Sequence, residues 1–168
     1  MKWIAISGSW WKINKKVEQD VRKVVKDILA RGDGIVTGGA LKVDYIATDE
    51  ALKQDLTAKR IKIFLPTTLE IYISHYRKRA QEGVITERQA KTLITQLEKI
   101  KKLDSSSLIE NIINKIIDKR AYFERNTEVV KAADELVAFH INKSEGVADT
   151  IEKAKQKGIP LKTFVYTI

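Results

Sequence analysis

Trp3-Ile4-Ala5-Ile6 carries no polar position on either face, the pattern of a central parallel strand covered by helices on both sides, and the run stops at Ser7-Gly8-Ser9. Asn14 then offers a helix cap, and Val17, Val21, Val24, Val25, Ile28 and Leu29 recur at three- and four-residue spacing until Gly32. The same order of strand, glycine turn and helix comes round again: residues 34–37, then Gly38-Gly39, then 43–58 with Ile46, Ala47, Ala51 and Leu52 as the inward stripe. A third apolar run at 60–65 closes at Pro66, which has no N–H to continue a ladder. Strands joined by helices in this order imply right-handed crossovers and a parallel sheet.

After Pro66 the alternation stops. Residues 68–81, 86–103 and 105–119 all read as helices, the second with a capping box of Thr86 and Gln89 and the third capped by Ser105 or Ser106. Consecutive helices without a strand between them are an insertion, at about 68–120, in a doubly wound pattern. A short helix at 124–133, a strand at 135–139, a polar turn at 142–146 and a helix at 147–157 follow, and Gly158 and Pro160 separate that helix from a last strand at 161–166. The expected fold is a single α/β, Rossmann-like, doubly wound domain over 1–168, with a five-stranded parallel sheet and a helical insert after strand 3.

With 168 residues the chain suits one well-packed domain. The absence of cysteine excludes disulfides, zinc–thiolate sites and thiol catalysis, and fits a reducing, cytoplasmic setting. No apolar run approaches the roughly 20 residues that cross a bilayer, and the first residues have no signal-peptide pattern, so no membrane partner is expected. The net charge of +9 favours anionic partners, nucleic acid among them. Because Lys and Glu are interspersed along the helices and no block of five like charges occurs, most of that charge reads as solvated surface.

In an open parallel sheet, ligands bind beyond the carboxyl ends of the strands. Three turns have the right end and composition there: Ser7-Gly8-Ser9, Thr37-Gly38-Gly39-Ala40 with Asp44 four residues on, and Ser144-Glu145-Gly146 with Thr150. Small residues, hydroxyls and helix N-termini suit a phosphate or ribose. The G-x-G-x-x-G fingerprint and the P-loop are both absent, so a standard dinucleotide or NTPase site is not expected. Arg125 can clamp a phosphate through its planar fork, and Asn126 can cap a helix or bond a ligand hydroxyl. Trp10 and Trp11 either line the rim or pack on the first helix, while Tyr72, Tyr76 and Tyr122 pack the insert or face a partner subunit. His75 and His140 are isolated; neither a metal site nor a cofactor is expected.

Taken in order, Ser7-Gly8-Ser9, Thr37-Gly38-Gly39-Ala40 with Asp44 and Ala47, Leu65-Pro66-Thr67, Phe123-Glu124-Arg125-Asn126 and Ser144-Glu145-Gly146 with Thr150 resemble the Rossmann-like superfamily that unites DNA-processing protein A with the Lonely Guy phosphoribohydrolases. The resemblance implies a strand order of 3-2-1-4-5, a site built from the loops after strands one, two and four together with an Arg125-Asn126 turn, and a homo-oligomer, a dimer. The departures also matter. Lonely Guy enzymes carry P-G-G-x-G-T-x-x-E, and residues 142–150 here have neither the double glycine nor the glutamate in its place, leaving Glu145 and Asp149 as candidate catalytic carboxylates. The expectation is therefore binding of a nucleotide or other phosphorylated small molecule as a sensor or ligand-binding module. The alternatives are a nucleoside monophosphate phosphoribohydrolase and a single-stranded DNA binder.

Overall fold

Asn14 caps the first helix as its position predicts, its side chain accepting the Val17 N–H at 3.0 Å. In the computed structural model, which describes residues 1–168, that helix, α1 (Lys15–Ala30), follows strand β1 (Trp3–Gly8). Next come β2 (Gly34–Thr37), α2 (Val43–Gln54), β3 (Ile61–Phe64), α3 (Leu69–Gln81), α4 (Glu87–Leu103), β4 (Leu108–Ile109), α5 (Lys119–Ala132), β5 (Glu135–Ile141), α6 (Glu145–Lys157) and β6 (Leu161–Tyr166). No helix is long and apolar enough to cross a membrane.

All neighbouring strands run parallel, in the order β4-β3-β2-β1-β5-β6. Six strands stand where five were expected, and the order is 4-3-2-1-5-6 rather than 3-2-1-4-5. The difference arises at 105–119, which is not the helix its periodicity predicts. Asp104 bonds the Ser106 N–H and hydroxyl, the buried Ser107 hydroxyl donates to the Ala58 carbonyl, and Leu108 and Ile109 add a short strand beside β3. Asn111 then accepts the N–H groups of Ile113 and Asn114. Short polar side chains that bond the nearby backbone compete with a helix, and here they win. The segment leaves Ile112, Ile113 and Ile116 exposed.

Two other boundaries moved for similar reasons. α2 ends at Gln54 rather than 58 because Asp55 gathers the N–H groups of Thr57 and Arg60 and the Thr57 hydroxyl into a turn, with Ala58 at φ 61°. α5 begins at Lys119 rather than 124 because Asp118 is its cap, accepting the Ala121 N–H at 2.8 Å. The Thr86/Gln89 capping box of α4 forms as predicted.

Successive residues of β1 serve opposite faces of the sheet, as strand geometry requires. Ile4 and Ile6 join the larger core with α1, α2, α3 and α4, whereas Ala5 packs with Val36, Val129, Val130, Val147 and Ala154 beneath α5 and α6. Gly8 lets α2 sit close on the sheet: a Cβ there would meet Val43 at 2.5 Å. The insert shares the larger core, with Tyr72, Leu93, Leu97 and Ile100 fully enclosed.

Candidate functional site

β1, β2 and β5 all end on one edge of the sheet, and the turns that follow them, with the starts of α2, α5 and α6, enclose a pocket of about 570 Å³. That volume falls in the usual range for small-molecule sites. Ser7, Gly8, Gly38, Ala40, Asp44, Arg125, Asn126, Ser144, Glu145, Gly146 and Thr150 line it, so segments far apart in sequence meet at one cavity. Ser9, Thr37 and Gly39 do not. The Ser9 hydroxyl accepts the N–H groups of Trp11 and Lys12, Thr37 Oγ1 accepts the Gly39 N–H, and Gly39, at φ 67°, faces Ile63 and Leu65. These residues shape the turns rather than the cavity wall.

Arg125 and Asn126 are in the second turn of α5 rather than in a connecting turn, and Asn126 caps nothing. Arg125 lies against Gly38: its Nη1 donates to the Gly38 carbonyl, its Nε donates to Asn126 Oδ1 at 3.1 Å, and its guanidinium packs on the Tyr122 ring. A Cβ at Gly38 would fall 2.5 Å from that guanidinium. The second glycine of the pair is thus needed for a positive φ and the first for the close approach of Arg125.

Asp44, buried in the first turn of α2, accepts the Ala40 N–H at 3.1 Å. Burial pushes its carboxyl above the usual range, and the Arg125 charge and the Gly38 and Ala40 N–H groups pull in the opposite direction. On the far wall, Ser144 makes no side-chain cap bond to α6, and open space lies where a Gly146 side chain would be. The first N–H groups of α6 consequently face the pocket with the positive end of the helix dipole. Thr150 uses its hydroxyl on the Gly146 carbonyl at 3.0 Å.

The two candidate carboxylates separate. Asp149 does not line the pocket; its Oδ2 accepts from Asn126 Nδ2 at 3.1 Å and from Lys153 Nζ at 2.5 Å. Glu145 does line it, at the mouth, where it is largely exposed and pairs with Lys119.

The insert supplies a wall that sequence reasoning did not assign to the site. His75, Tyr76, Arg79 and Ile85 line the pocket, opposite Lys119, Tyr122 and Phe123 of α5. The Tyr72 hydroxyl donates to the Gly39 carbonyl at 2.9 Å and lies 3.3 Å from that of Tyr76. Tyr72 and Tyr76 are four residues apart with Arg79 one turn on, so a single helix face carrying two phenols and a cation was the available signal. Burial holds His75 below its ordinary value and Tyr76 and Tyr122 above theirs. Trp10 is at the rim, half exposed and edge-on to the more exposed Trp11, so neither packs into α1. His140 is apart from the pocket, bonded to the Ser144 carbonyl.

Fold and site together define a three-layer Rossmann-like α/β protein with a ligand-sized pocket at the carboxyl edge of its sheet. No family model and no curated protein matches the sequence. Solved structures do match in fold. DNA processing protein A from Helicobacter pylori, described for its single-stranded DNA binding mode, superposes with a TM-score of 0.70 at 18% identity over 96% of this chain and 64% of its own. DNA processing protein A from Streptococcus pneumoniae gives 0.65 at 17% identity over 97% of this chain and 50% of its own. The molybdenum cofactor carrier protein of Chlamydomonas reinhardtii gives 0.54 at 14% identity over 100% of this chain and 90% of its own. The chain therefore has the Rossmann-like fold of the superfamily its motifs resemble, and spans half to two thirds of the DNA processing proteins.

Proposed function

We propose that the protein binds a nucleotide or another phosphorylated small molecule in this pocket, as a ligand-binding or sensor module. The observation that carries the reading is the pairing of two walls. Arg125, braced by the Gly38 carbonyl and Asn126, provides fixed positive charge on one side, and the first turn of α6 at Glu145 and Gly146, which no side chain caps, provides free N–H groups on the other. Both are anion-binding devices, and a guanidinium already held in place loses little freedom when a phosphate arrives. The aromatic side chains of Tyr76, Tyr122, Phe123 and Trp10 offer apolar surface for a base.

The test is a thermal-shift panel of nucleoside mono-, di- and triphosphates. At least one is expected to raise the melting temperature of the wild type, and Arg125→Ala is expected to abolish that rise. A panel with no stabilisation of the wild type would end the reading.

Single-strand binding is the second reading. The cations at or beside the mouth, Arg79, Lys119, Arg120 and Lys153, favour it, as does the fold shared with a DNA-binding protein. Hydrolysis of a glycosidic bond is not proposed, because it needs a carboxylate free to activate water. Asp149 is engaged by Asn126 and Lys153, and Glu145 by Lys119.

A further inference from the structure

The nucleotide reading leaves one group in the pocket without a task. Asp44 is only 6% exposed, yet it lines the cavity. Its oxygens are met only by backbone, the Ala40 N–H at 3.1 Å and the nearby Gly38 N–H, and no side chain of the protein donates to either. Three of the nearby donors are committed elsewhere: Arg125 Nη1 to the Gly38 carbonyl, Arg125 Nε to Asn126 Oδ1, and the Tyr72 hydroxyl to the Gly39 carbonyl. An ionised carboxylate has about four acceptor positions, so a sheltered one facing a cavity lacks donors.

Charge decides what kind of donor fits. A phosphate set against Asp44 would meet like charge, so the anionic part of a ligand belongs at the α6 end, and a neutral group bearing O–H donors belongs at Asp44. In a nucleotide that group is the ribose. Resting on the nucleotide reading, we infer that the pocket selects ribonucleotides over deoxyribonucleotides, with the ribose hydroxyls donating to Asp44. An analogue without them leaves a buried acceptor unpaired, and sites built to bond a hydroxyl reject its absence far more strongly than apolar pockets reject a missing methylene.

Titration calorimetry with the four ribonucleoside monophosphates, their 2′-deoxy and their 2′,3′-dideoxy counterparts tests this on the wild type and on Asp44→Asn. In the variant the amide oxygen keeps the Ala40 N–H and the amide nitrogen faces the pocket as a donor. For whichever base binds, the ribonucleotide is expected to bind the wild type at least about ten-fold more tightly than the dideoxy form. Asp44→Asn should bring the ribonucleotide and dideoxy affinities together, and continued binding of the dideoxy form shows that the variant is folded. Equal affinities of the wild type for the three sugar forms overturn the inference and leave the nucleotide reading standing. Binding of none of the twelve probes also overturns the inference, and the thermal-shift panel with its di- and triphosphates decides the wider nucleotide reading.

Discussion

At the scale of single residues, the site sets the buried carboxyl of Asp44 within the field of the Arg125 charge, without a direct bond between them. The Asp44 carboxyl is raised by its burial and partly restored by Arg125. An unfolded carboxyl ionises at its ordinary value, so as pH rises from there to the raised folded value the folded state holds more protons than the unfolded one, and stability falls. Asp44→Asn has no such proton. Urea denaturation of both proteins across the acid range is expected to show the variant gaining on the wild type as pH rises above the ordinary carboxylate value, then levelling off; parallel curves would contradict the assignment. The pattern of glycines and hydroxyls was legible in the sequence, but the work of each was not. The Ser9 and Thr37 hydroxyls hold turn N–H groups and Gly39 faces the core, because a hydroxyl near a free N–H bonds it locally.

At the scale of elements, the helical insert is joined to the glycine turn rather than set apart from it. α3 reaches the turn through Tyr72, whose hydroxyl bonds the Gly39 carbonyl, while Leu97 of α4 lies against the same glycine. Tyr72→Phe leaves that carbonyl buried without its partner, and chemical denaturation is expected to record a loss of about 1–3 kcal/mol. A loss near zero would mean that the turn holds its shape without the insert. Helix existence was readable wherever periodicity and caps agreed, as for α1 with Asn14 and α4 with its Thr86/Gln89 box. Residues 105–119 had the periodicity of a helix without its polar economy. Asp104, Ser106, Ser107 and Asn111 bonded backbone and neighbours instead, and the freed chain added β4 to the sheet.

At the scale of the whole molecule, the +9 charge sets up a field that any polyanion will feel. Fluorescence anisotropy with a labelled oligothymidine is expected to show binding at low ionic strength that weakens steeply with salt, and Arg79→Ala with Lys119→Ala should lower the slope by about one ion per phosphate contact removed. Affinity indifferent to salt, or none at low salt, would exclude the single-strand reading. Alternating apolar runs, glycine stops and caps determined by themselves that this chain forms a parallel α/β sheet with its glycine turns at one edge, because those patterns act over a few residues and need no distant partner. Only the tertiary structure decided which side chains face the cavity: that Arg125 meets Gly38, that Asp44 is enclosed with few donors, that Asp149 turns to Lys153, and that α3 supplies a wall. The direction of a side chain depends on what packs against it from elsewhere in the chain, and local sequence does not carry that information.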